Sequence, residues 1–82
     1  MTGDLAAVGA RYHAARQRIG VSQETAARLA GVGVATVSAF EHGRRDITVE
    51  QLRALCDAIW LPVADVLAPP TAPARWTERT PR

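Results

Sequence analysis

Lysine is missing from these 82 residues, cysteine occurs once, and aromatic side chains make up only 5% of the chain. Each shortage excludes something. With Cys56 alone, no internal disulfide and no cysteine-based metal site can form. With so few rings and so much alanine, the core must come from short helices packed closely through small side chains. No uncharged apolar run approaches the ~20 residues that span a bilayer. The start, Met1-Thr2-Gly3-Asp4, has neither the basic end nor the apolar stretch of a secretion signal. A soluble cytoplasmic protein without membrane contact is the expectation. His13 and His42 stand too far apart in sequence to mark a metal site, and Cys56 has no neighbouring histidine to activate it. Without an acid–base pair, a nucleophile or a metal cluster, neither catalysis nor a cofactor is expected.

What is present fits one small domain. The net charge of +2 is unevenly placed. Between Asp4 and Leu67, Arg11, Arg16, Arg18, Arg28, Arg44, Arg45 and Arg53 are matched by Asp4, Glu24, Glu41, Asp46, Glu50, Asp57 and Asp65. The excess lies beyond, at Arg75, Arg79 and Arg82 against Glu78. The basic balance is therefore no argument for nucleic acid, and only the position of particular arginines can be one.

Local signals divide the chain into helices. Leu5, Val8, Tyr12, Ala15 and Ile19 recur at three- and four-residue spacing, predicting a helix over 5–18 that Gly20 stops. Ser22 offers an N-cap oxygen to a second helix, Gln23–Ala30, ended by Gly31. A third short helix is expected from Val34 to His42, before Gly43. Thr48 and Gln51 form a capping box opening a fourth, whose stripe is Leu52, Leu55, Cys56 and Ile59. Pro62 suits the first turn of a fifth, ending near Leu67. The expected organisation is an all-α domain over 4–67 and a disordered tail over 68–82, where Pro69, Pro70, Pro73 and Pro81 leave no periodic core face.

Ala27, Gly31 and Val37 belong together. A helix-turn-helix needs a small residue where the second helix crosses the first, a glycine for a left-handed turn, and an apolar residue packing the second helix back. Those three residues meet these needs in order.

Residues 8–67 resemble the lambda-repressor-like, or Xre-type, helix-turn-helix family. The resemblance rests on Arg16, Gly20-Val21-Ser22-Gln23, Ala27, Gly31-Val32, Thr36-Val37-Ser38, Glu41-His42-Gly43, and the Leu52, Leu55, Ile59, Val66-Leu67 ending. It implies a compact five-helix fold and a partner, double-stranded DNA. By that resemblance Arg16 and Glu41 form a largely buried structural ion pair. Ser22 and Gln23 at the head of helix 2, with Thr36, Arg44 and Arg45, are implied as DNA-backbone contacts. Val34, Ala35, Ser38 and Ala39 stand where relatives read bases. This is a departure, because Val34, Ala35 and Ala39 cannot hydrogen-bond a base edge. Contact with thymine methyls and DNA shape are what remain to such a surface.

Tyr12 and Phe40 are expected in the core, and Cys56 as a buried small hydrophobe. Trp60 stands where relatives often carry glycine or a small polar residue. With Leu61, Val63, Val66 and Leu67 it makes an apolar group too large for one small core. A homodimer through helix 5 and its flanks is expected, placing two recognition helices about one DNA turn apart. The expected function is a transcriptional regulator, a repressor on a palindromic operator. The alternative is a protein-interaction or antitoxin-like module on the same scaffold, reaching DNA only with a protein partner.

Overall fold

A computed structural model describes residues 2–67 as five helices, with side chains described from Ala6 onward. The expectations for the tail, including its arginines, lie outside the described residues. The elements are α1 (Thr2–Ile19), α2 (Gln23–Ala30), α3 (Val34–Glu41), α4 (Val49–Ala58) and α5 (Val63–Leu67). No strand occurs among the described residues. The all-α fold expected from periodicity is what forms.

The helix ends follow local chemistry. The Ser22 hydroxyl accepts the Thr25 N–H at 3.1 Å and donates to the Thr25 hydroxyl at 3.0 Å, closing the head of α2 without a carboxylate. At its tail Gly31 adopts φ 72°, and the Val32 N–H returns to the Ala27 carbonyl. A left-handed residue at that point satisfies orphan carbonyls and reverses the chain. The Thr48–Gln51 capping box is complete, with both bonds at 3.0 Å. Gly33, the N-cap of α3, supplies no side-chain bond. The helix ends that differ from expectation differ by little: α1 runs Thr2–Ile19, and His42 and Ile59 are C-caps rather than helical residues.

α2 packs against both α3 and α4, while α1 packs against α3 and α5. The core joins Tyr12 and Ala15 of α1, Ala26 and Ala27 of α2, Val37 and Phe40 of α3, Leu55 and Cys56 of α4, and Val66 of α5. Ile19, placed by spacing on the buried stripe of α1, is instead exposed at the helix end. Tyr12 crosses the interior, donating its hydroxyl to the Leu55 carbonyl at 2.8 Å, with its ring tilted against Phe40 at 6.2 Å. That bond lets a polar tip sit in an apolar core without an unsatisfied group. Burial is the main reason its phenol titrates well above the ordinary range, helped by Cys56 and Glu41.

Two contacts set the helix positions. A Cβ on Gly9 would lie 2.1 Å from the Phe40 carbonyl oxygen, so α1 and α3 meet backbone to backbone where only hydrogen fits. Arg11 reaches α5, its guanidinium donating to the Val66 carbonyl at 2.7 Å.

α4 ends unusually. The Leu61 N–H returns to the Cys56 carbonyl at 2.9 Å, and Trp60 takes φ 56° at the position that favours glycine. A left-handed L-residue costs roughly 1–2 kcal/mol. The turn swings Leu61 into the core and leaves Trp60 84% exposed.

Candidate nucleic-acid interface

A buried polar network underlies the surface formed by α2 and α3. Arg16 of α1 grips Glu41 of α3 with two bonds, Nε to Oε2 at 2.8 Å and Nη2 to Oε1 at 2.9 Å. Its remaining Nη1 donates to the Val21 carbonyl at 2.9 Å, tying in the turn before α2. Both residues are buried, so these are charge-assisted bonds in a low-dielectric setting.

Two further donors converge on Glu41. Gln23 gives its side-chain amide to Oε1 at 3.0 Å, and His13 approaches the same oxygen through Nδ1 at 2.6 Å. At that distance from a carboxylate, Nδ1 must carry the proton. The 3.2 Å approach of Arg16 Nη2 to the same nitrogen is then a close contact between donors rather than a bond. Burial by itself raises the Glu41 carboxyl, but bonds from Arg16, Gln23 and His13 with the Arg16 charge outweigh it and hold the pKa low. Sequence reasoning missed His13. The signal was its spacing of three from Arg16, which puts both on one face of α1.

The expected contact residues fall into distinct environments. Val34 and Ala35, at the start of α3, are exposed, whereas Thr36, Ser38 and Ala39 are half-buried. Val37 and Phe40 point into the core and hold the helix down. Ser22 is exposed but its hydroxyl is engaged in the cap. The Gln23 amide nitrogen carries two hydrogens, of which one goes to Glu41. Arg44 and Arg45 are exposed in the polar connection after α3, and among the described residues no acid pairs with either. His42 is exposed, with its Nδ1 bonded to the Ser38 carbonyl at 2.8 Å.

The surface thus has three parts: the open amino end of α2, a short helix showing a small apolar face, and two unpaired guanidinium groups. A family model for a helix-turn-helix domain matches residues 7–68. The chain belongs to the helix-turn-helix domain family.

Solved structures agree with this family. The restriction-modification controller protein C.AhdI from Aeromonas hydrophila is 30% identical, with a TM-score of 0.74 over 78% of this chain and 97% of that one. The clp gene regulator ClgR from C. glutamicum is 34% identical, with a TM-score of 0.72 over 76% and 80%. The hypothetical transcription factor NHTF from Neisseria is 30% identical, with a TM-score of 0.77 over 93% and 88%. A comparison with curated protein sequences finds no match. The lambda-repressor-like resemblance of the sequence is upheld by these Xre-like regulators.

The residues expected at a dimer interface fall into different environments in the single chain. Leu61 is 8% exposed and Val66 1%, so both are core residues of the single chain. The turn after α4 directs Leu61 inward, and Arg11 holds the end of α5 against α1. Val63 is half-buried against the same core. Trp60 and Leu67, the latter 55% exposed, face solvent.

Among the described residues no group of His, Cys, Asp or Glu could hold a metal ion, and no helix is long and apolar enough to cross a membrane. Cys56 lies in the core. Burial, with Asp57 and Asp65 nearby, pushes its thiol up to about 11, the opposite of an activated nucleophile.

Proposed function

We propose that this helix-turn-helix domain is a DNA-binding transcription regulator that acts by occupying an operator, as a repressor, in the form of a homodimer on an inverted repeat. The observation that carries the reading is the arrangement around α3. Val34 and Ala35 are exposed at its start, while at its other end Glu41 meets Gln23 from the amino end of α2 and the exposed Arg44 and Arg45 follow. Backbone N–H groups at a helix head and unpaired guanidinium groups both suit phosphates. Two of the neighbouring structures are described as a gene regulator and a transcription factor.

The buried network acts through Gln23. Glu41 holds the amide by one hydrogen, leaving the second to meet a phosphate oxygen from a fixed side chain. A pre-positioned donor loses little freedom on binding. Thr36 and the Ser22 backbone complete the phosphate contacts.

Base reading falls to Val34, Ala35, Ser38 and Ala39. Val34 and Ala35 press on thymine methyl groups, Ser38 offers the one hydroxyl, and DNA shape supplies further selection. Without a bidentate Arg or Gln contact, discrimination per base is smaller than the ~1–3 kcal/mol such a pair provides. Affinity then leans on phosphates and falls steeply with salt.

Selection from a random pool of duplexes tests the reading. Recovery of an A·T-containing inverted repeat, with half-sites about one helical turn apart, is the expected result. Binding with no motif, or none until a second protein is added, would refute it and favour the protein-interaction alternative.

A further inference from the structure

One nitrogen of the Glu41 network has no partner among the described residues. His13 gives Nδ1 to Glu41 Oε1 at 2.6 Å, the oxygen that also takes the Gln23 amide at 3.0 Å. The two side chains therefore stand side by side where α1 meets the head of α2. The other ring nitrogen, Nε2, makes no bond within the protein. Among the described residues no unpaired side-chain nitrogen is buried, and the His13 side chain is 38% exposed, so Nε2 meets water. The charged groups facing the ring are Glu41 from α3 and Arg16 from its own helix, with Glu24 of α2 close enough to act on Arg16. Asp65 of α5 lies with Arg11 and Arg18 along a different face of α1.

We infer that His13 is a further DNA-backbone residue, which on taking up a proton donates Nε2–H to the same phosphate that Gln23 meets. The inference rests on the DNA reading above and adds a proton to it. Because Glu41 holds the Nδ1 proton, the neutral ring has only a lone pair at Nε2. That lone pair repels a phosphate oxygen. One added proton turns the nitrogen into a donor and gives the ring a positive charge, so the bond to phosphate is charge-assisted. Histidine makes this change between about pH 5 and 8, a range in which arginine keeps its charge. DNA bound through His13 holds one more proton than free protein, so affinity rises as pH falls. The bond to Glu41 fixes the ring before DNA arrives, and a fixed donor loses little freedom on binding.

Fluorescence anisotropy of the full chain with a mixed-sequence duplex of about 20 base pairs tests this. Binding is measured near pH 6 and near pH 8 at constant salt, with thermal melts at each pH as the control for folding. The wild type should bind on the order of 10-fold more tightly at the lower pH. His13→Gln, neutral throughout, should show the weaker affinity at both. His13→Arg, charged throughout, should show the tighter affinity at both. His42→Gln should keep the wild-type response, which assigns the proton to His13 rather than to the other histidine. A wild type that binds duplex equally at both values, or a pH response that survives either His13 variant, overturns the assignment and leaves the DNA reading standing. A wild type that binds no duplex at either pH overturns the DNA reading and this assignment with it.

Discussion

Replacing Glu41 with alanine removes the acceptor shared by Arg16, Gln23 and His13 and leaves a buried guanidinium without a counter-charge. Breaking one side of a buried pair costs about 3–5 kcal/mol. A domain the size of residues 2–67 has about 3–10 kcal/mol in total, so Glu41→Ala should lose between a third and all of it. Urea titration followed by circular dichroism reads this directly. With a slope near 1 kcal/mol/M, the midpoint should fall by roughly 3 M. The paired replacement Arg16→Met with Glu41→Leu should recover most of the loss, because well-packed apolar residues often match a buried ion pair. A loss below about 1 kcal/mol for Glu41→Ala, or a double variant as unstable as the single, would refute the reasoning. The pH dependence has a definite sign. Glu41 has a lower pKa folded than its ordinary 4.5, so in acid the unfolded chain binds more protons. Its contribution is complete above the ordinary value and is lost as pH falls through the folded one. Glu41→Gln should flatten that acid limb.

Other consequences are open to direct measurement. Gly9→Ala should destabilise by about 1–3 kcal/mol or more, because its methyl would collide with the Phe40 carbonyl; chemical denaturation gives the value, and a neutral result would mean α1 and α3 are not in backbone contact. Cys56 should resist thiol reagents at neutral pH until urea unfolds the chain, given its burial and raised pKa; rapid labelling of the folded protein would contradict this. Arg44→Ala with Arg45→Ala should weaken DNA binding similarly on every sequence and lower the salt slope by about 2, with an unchanged slope counting against phosphate contact. Gln23→Ala should weaken DNA binding with a smaller change in melting temperature than Glu41→Ala, since the ion pair survives it.

The sequence by itself determined the helices and the turns between them. Ser22, Gly31 and the Thr48–Gln51 box act within a few residues, so their effects on chain direction are readable locally. The Ala27, Gly31 and Val37 spacing was likewise legible, because a helix-turn-helix demands small, left-handed and apolar residues in that order. Tertiary structure decided the rest. Gly9 looked like any glycine in an alanine-rich helix until α3 was laid across it. His13 became part of the Glu41 network only when folding closed a separation of 28 residues. Leu61 and Val66 looked as available as Trp60 and Leu67, since all are apolar and adjacent in sequence. The left-handed turn after α4 separated Trp60 from Leu61, sending one into water and the other into the core, and the packing of α5 on α1 separated buried Val66 from exposed Leu67.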